Sequence, residues 1–151
     1  DAGALDVIEF AALEPMTAIL TPHAGELARL LDRFGRHFEL DYEAVIAAAT
    51  MIEQVVVLKG SMTLIASPTG EVVAVGPNPA SLATAGTGDV LAGIMGALLA
   101  SNAHLSDLDL VEVAKLAVSL HSEAARLAER AGPIAALDLA EAVREVVKSW
   151  P

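Results

Sequence analysis

Ala85-Gly86-Thr87-Gly88-Asp89 stands directly before an apolar segment, Val90 to Ala100, and its residue types and spacing suit chemistry on a phosphate. Gly86 and Gly88 free the backbone so that successive amides can converge on one anion. A helix is expected over 89–101, and its N-terminus adds about half a positive charge at that point. A transferring phosphoryl group needs such prealigned donors, because its charge must be met as it develops. A carboxylate placed there repels phosphate unless it has a role of its own. For Asp89 that role is accepting a proton from a hydroxyl that attacks phosphorus. The plainer alternative is a Gly-rich turn with Asp89 as the helix N-cap.

Two further segments carry candidate residues. Lys59-Gly60 follows Val55-Val56-Val57-Leu58, a run that reads as a buried strand. In open parallel sheets ligands gather beyond the carboxyl ends of strands, so a lysine there suits a phosphate; otherwise it is simply the first solvated residue after the strand. Thr21-Pro22-His23-Ala24-Gly25-Glu26 follows a second short apolar run, Thr17 to Leu20, in the corresponding position. His23 and the Thr21 hydroxyl are candidate substrate contacts, although a lone loop histidine is more often structural. His37, His104 and His121 lack metal-ligand spacing, so no metal site is expected from protein ligands. His121 and Glu123 read as a polar edge on a packed helix, and Met16, Met51, Met62 and Met95 as core or gap-filling residues.

The elements that must hold these residues are legible in outline. Helical spacing of Leu27, Leu30, Leu31 and Phe34 predicts a helix over 25–34, with Glu26 in its first turn. Asp41 suits the N-cap of a second helix running to about Glu53. Four branched apolar residues at 55–58 suggest a strand covered on both faces, hence a parallel sheet. Thr63–Ala66 and Glu71–Val75 flank Ser67-Pro68-Thr69-Gly70 as a β-hairpin. Helices are expected over 89–101, 109–130 and 138–149, the last two opened by capping boxes, Asp109 with Glu112 and Asp138 with Glu141. The helix from Asp109 is apolar on most sides and reads as sandwiched.

Bulk properties narrow the function. The 151 residues are 54% hydrophobic, which excludes disorder, and only 3% aromatic, so the core must be built from Ala, Val, Leu and Ile. A net charge of −11 opposes nucleic acid or an anionic membrane as partner. The absence of cysteine removes disulfides, thiolate nucleophiles and Cys-ligated zinc. Residues 1–15 have no basic n-region, and the longest apolar run is short of the ~20 residues that span a bilayer. A cytoplasmic location is the default expectation. The start at Asp1 without Met suggests a processed or cut piece of something longer.

Taken together, Thr-Pro-His-x-Gly-Glu at 21–26, Val-Val-Leu-Lys-Gly at 56–60, a hairpin, and Asn78-Pro79 leading to Ala83-Thr84-Ala85-Gly86-Thr87-Gly88-Asp89-Val90-Leu91 resemble the NAD(P)H-hydrate dehydratase family. Asp1-Ala2-Gly3-Ala4-Leu5 is similar to that family's Asp-Ala-Asp-Ala-Leu. The resemblance covers nearly the whole chain and about the C-terminal half of the family's domain. It implies a three-layer ribokinase-like α/β fold, with residues 1–151 a partial domain: a mostly parallel sheet, a β-hairpin and C-terminal helices.

The family repairs hydrated NADH or NADPH by phosphorylating the ring hydroxyl from ADP or ATP, after which phosphate departs. Carried onto this chain, the resemblance makes Asp89 the catalytic base and a substrate contact, and Gly86, Thr87 and Gly88 the phosphate cradle. Lys59, Gly60, Ser61, Met62 and Thr63, with Gly88, match nucleotide-binding positions, and His23 matches a substrate-contacting histidine. Mg2+ is implied with the phosphates, and a homo-oligomer for the complete enzyme. The chain departs from the pattern at Gly3, Asp6, Ala24 and the stretch Pro79-Ala80-Ser81-Leu82, which replaces a Gly-rich segment. Two other readings share many of these residues: a ribokinase-like small-metabolite kinase that keeps its phosphorylated product, and a non-catalytic nucleotide-binding fragment that needs its missing half.

Overall fold

A computed structural model describes residues 3–9, 18–37, 39 and 41–149. Two compact units make up the chain, 1–75 and 76–151.

Among its described residues, the first unit has a four-stranded sheet and three helices. Its elements are α1 (Ala4–Val7), β1 (Ile19–Leu20), α2 (Ala24–Asp32), α3 (Tyr42–Ile52), β2 (Val55–Leu58), β3 (Thr63–Ala66) and β4 (Val72–Val75). The strands lie in sequence order, with β1 parallel to β2 and the other two pairings antiparallel. Among the described residues the sheet is therefore mixed rather than mostly parallel. All four residues of β2 are buried, as the branched run demands. That burial reports cover on both faces; it carries no information on strand direction, which the tight β2–β3 connection reverses. Thr17 and Met16 lie outside the described residues.

Short side chains fill the space under the sheet. Ala44, Ala48 and Ala49 of α3 are fully buried with Val45, Val56 and Leu27, a core of short aliphatic side chains with the partly buried Phe34 packed against it. The two ends of α3 follow from its sequence. Asp41 Oδ1 accepts from the amides of Glu43 at 2.8 Å and Ala44 at 3.3 Å. Glu53, at φ 58°, turns the chain out of the helix in the left-handed region. Asp41→Ala is expected to cost about 1 kcal/mol of stability, the usual value of such a cap, read as a shift in denaturant midpoint at unchanged slope. The hairpin forms as expected: the Ser67 carbonyl accepts from the Gly70 amide, the Ser67 amide donates to the Glu71 carbonyl, the Ser67 hydroxyl accepts from the Glu71 amide, and Gly70 takes φ +90°.

The second unit is helical. A 3₁₀ turn (Ala80–Ala83) precedes α4 (Thr87–Ser101), α5 (Leu110–Ala128) and α6 (Ala136–Ser149). Helix α5 packs against both α4 and α6 and buries ten side chains, the sandwiched element its composition predicts. Both predicted capping boxes need correction. Asp109 does cap α5, through the amides of Val111 and Glu112, but Glu112 pairs with Lys115 instead of closing the box. Helix α6 begins two residues before Asp138, because Ala136 and Leu137 are good helix formers. Asp138 then reaches back from the first turn to the Ala135 amide at 2.8 Å. Met95 is a core residue of α4, whereas Met62 is 44% exposed and not part of the core.

Candidate functional site

In the first unit, the candidate residues gather beyond the carboxyl ends of β1 and β2. The parallel register that pairs Ile19 with Val55 and Leu20 with Val56 continues to an isolated bridge between His23 and Lys59. The Lys59 amide donates to the Pro22 carbonyl at 2.8 Å. Two segments far apart in sequence thus stand side by side where open α/β sheets take ligands.

His23 caps α2. Its Nδ1 accepts from the Glu26 amide at 3.2 Å, and Glu26 Oε2 accepts from the His23 amide at 2.7 Å, a capping box with histidine in the usual Ser or Thr position. The structural alternative for His23 therefore holds, while its side chain stays 55% exposed and accessible. Glu26 is the residue that sequence reasoning missed. It is 6% exposed, and its Oε2 lies 3.8 Å from Lys59 Nζ. One carboxylate thus orients both candidates. The capping-box spacing from His23 to Glu26 is the signal that could have found it. Gly60, Ser61 and Met62 are exposed, and Thr63 is buried at the start of β3. A Cβ on Gly60 would meet the Met62 carbonyl at 3.1 Å, so a side chain here requires this turn to give by a few tenths of an ångström.

In the second unit, Gly86 is the N-cap of α4 at φ +86°, and no side chain caps the helix. Helix α4 starts two residues earlier than expected, which puts Asp89 on its first turn, exposed, and excludes it as N-cap. The amides of Gly88 and Asp89 have no acceptor among the described residues. Donors left in this state at a helix N-terminus suit an anion. Thr87 serves differently: it is 3% exposed, and its Oγ1 donates to the carbonyls of Leu82 at 2.7 Å and Thr84 at 2.8 Å. Its hydroxyl closes the loop, so the donors without an acceptor at this turn are backbone amides.

A Cβ on Gly86 would lie 3.0 Å from the Ala136 Cβ, on a backbone that L-residues avoid. Gly86→Ala is expected to cost about 1–2 kcal/mol, measured by chemical denaturation, and to weaken phosphate binding by turning the amides.

Among the described residues no group of three or more His, Asp or Glu could hold a metal ion. His37 pairs with Asp32 on the surface, and His104 is exposed. His121 is buried, not a polar edge, and its Nε2 lies 2.8 Å from the Thr87 carbonyl.

The family model described as NAD(P)H-hydrate dehydratase matches residues 1–146. A bifunctional NAD(P)H-hydrate repair enzyme of Synechocystis sp. is 36% identical, over 99% of this chain and 29% of that protein. The ADP-dependent (S)-NAD(P)H-hydrate dehydratase of Neisseria meningitidis serogroup B is 40% identical, over 78% of this chain and 38% of that protein. The solved structure of the ADP/ATP-dependent NAD(P)H-hydrate dehydratase from Bacillus subtilis, co-crystallized with ATP/Mg2+, superposes with a TM-score of 0.70 at 30% identity. That match covers 90% of this chain and 49% of the other, and it carries the ribokinase-like α/β fold expected from the sequence. The chain spans about a third of the length of these curated relatives and half of the solved one.

Proposed function

The chain belongs to the NAD(P)H-hydrate dehydratase family, and on that premise we propose that it carries part of an ADP- or ATP-dependent (S)-NAD(P)H-hydrate dehydratase. The observation that carries the reading is the uncapped start of α4, where Gly86 in the left-handed region leaves the Gly88 and Asp89 amides without an acceptor among the described residues. These donors fit a phosphate. Mg2+ fits only as an ion held largely by the phosphates, since no carboxylate cage is present among the described residues.

The nucleotide, when bound, supplies the phosphoryl group that turns a poor leaving group, hydroxide, into a good one. The chain's own residues do the rest. Asp89 accepts the proton from the substrate hydroxyl through its exposed carboxylate. The Gly88 and Asp89 amides meet the phosphoryl charge, and Thr87 fixes the loop that holds them. Lys59 and the turn Gly60 to Thr63 bind the nucleotide, and His23 contacts the hydrated NADH or NADPH. The complete enzyme works as a homo-oligomer in the cytoplasm; no described helix is long and apolar enough to cross a membrane.

The test supplies the complete protein with hydrated NADH and ADP or ATP and follows the return of dihydronicotinamide absorbance. Recovery that depends on nucleotide supports the reading. Nucleotide consumption with a retained phosphorylated product makes the protein a small-metabolite kinase instead. Nucleotide binding without consumption makes it a non-catalytic module.

A further inference from the structure

Helix α5 lends three neighbouring side chains to the segment that leads into α4. Ser122 Oγ donates to Asn78 Oδ1 at 2.6 Å, and Arg126 Nη2 donates to the Pro77 carbonyl at 2.7 Å. These two fix the start of the segment. The third, His121, acts at its end, with Nε2 at 2.8 Å from the Thr87 carbonyl. A carbonyl oxygen only accepts, so this ring nitrogen carries the proton and donates.

The consequence lies on the far side of the same peptide unit. A trans peptide is planar, and its C=O and N–H point in opposite directions. Whatever holds the Thr87 oxygen therefore aims the Gly88 N–H, one of the two amides without an acceptor among the described residues. Thr87 is held at its hydroxyl as well, by the Leu82 and Thr84 carbonyls, so its peptide is clamped at two points. The His121 imidazole is 6% exposed; a buried ring is costly unless hydrogen-bonded, and an apolar residue would fill that place at lower cost.

We propose that His121 is a positioning residue that aims the Gly88 amide at the bound anion by donating from Nε2 to the Thr87 carbonyl. This rests on the reading of the α4 N-terminus as a phosphate site.

Two polar replacements isolate the bond. In His121→Gln the amide nitrogen reaches about as far as Nε2, whereas in His121→Asn it falls short. In the complete enzyme, kcat is expected to drop about tenfold in His121→Asn and to return most of the way in His121→Gln, in line with one lost hydrogen bond. A second readout does not need turnover: the Gly88 amide resonance, titrated with inorganic phosphate, should move in wild type and His121→Gln and far less in His121→Asn. Equal Gly88 shifts and equal kcat in all three proteins overturn the proposal while leaving the dehydratase reading intact. Phosphate shifts that follow the predicted order in an enzyme without dehydratase turnover keep His121 in its role and remove that reading. If His121→Asn does not fold, the ring nitrogen shifts of wild-type His121 decide: a proton on Nε2 supports the contact, and a proton on Nδ1 alone overturns it.

Discussion

Asp89→Asn in the complete enzyme is expected to lose about 10²- to 10⁴-fold in turnover, the usual contribution of a positioned general base. Folding should be almost untouched. Asp89 is exposed, it is not the N-cap of α4, and its side chain makes no capping bond. Its charge near the helix N-terminus is worth about 0.3–1 kcal/mol at most. Nucleotide affinity should hold or rise slightly, because a negative charge beside the phosphates is gone. Capping and catalysis therefore make opposite forecasts for this one substitution. Single-turnover rates paired with thermal unfolding separate them, and near-normal turnover would assign the base to another residue.

The second large effect concerns Lys59. Losing a charged hydrogen bond to phosphate weakens binding by about 1.5–3 kcal/mol, or roughly 10- to 150-fold in the nucleotide dissociation constant. The geometry adds a cost that the sequence does not show. Lys59 Nζ stands 3.8 Å from a Glu26 carboxylate that is almost fully buried. Lys59→Ala leaves that charge without this partner, which should cost about 1–3 kcal/mol of stability, less than a fully buried pair because the lysine side chain keeps 20% exposure. Adding Glu26→Gln to Lys59→Ala should recover most of the stability and none of the affinity. Isothermal titration and denaturant unfolding on the two single variants and the double one resolve the two effects. Unchanged affinity in Lys59→Ala would make Lys59 a structural partner of Glu26 alone.

What could be read from the sequence was local. The branched run at 55–58, the hairpin around Pro68 and Gly70, and the Asp41 and Asp109 caps each depend on residues within a few positions. The misread helix starts were local too, but they turned on competing signals. At Asp138 helix formers upstream outweighed a good capping residue, and at Asp89 the left-handed Gly86 had already turned the chain into the helix. Strand direction was not legible, because burial on both faces is blind to it. The long-range pairings of Glu26 and His121 were not legible for a different reason. Their partners, Lys59 and Thr87, lie more than thirty residues away, and only the fold brings them within reach.

The sheet of the first unit is assembled from contacts of very different reach. Joining β3 to β2 and to β4 closes only short turns, whereas pairing β1 with β2 must gather residues 21–54. By loop-closure entropy that difference is about 2 kcal/mol. Strand β1 is too short to compensate it, contributing only Ile19 and Leu20. The weakest seam of the sheet therefore runs between His23 and Lys59. When the native state opens in part, that seam parts first, with Lys59 still anchored on the hairpin side. Hydrogen exchange reads this directly: the Lys59 amide, bonded to Pro22, should exchange ahead of the amides shared by β3 and β4. A ligand that touches both His23 and Lys59 would bridge the seam and slow that exchange.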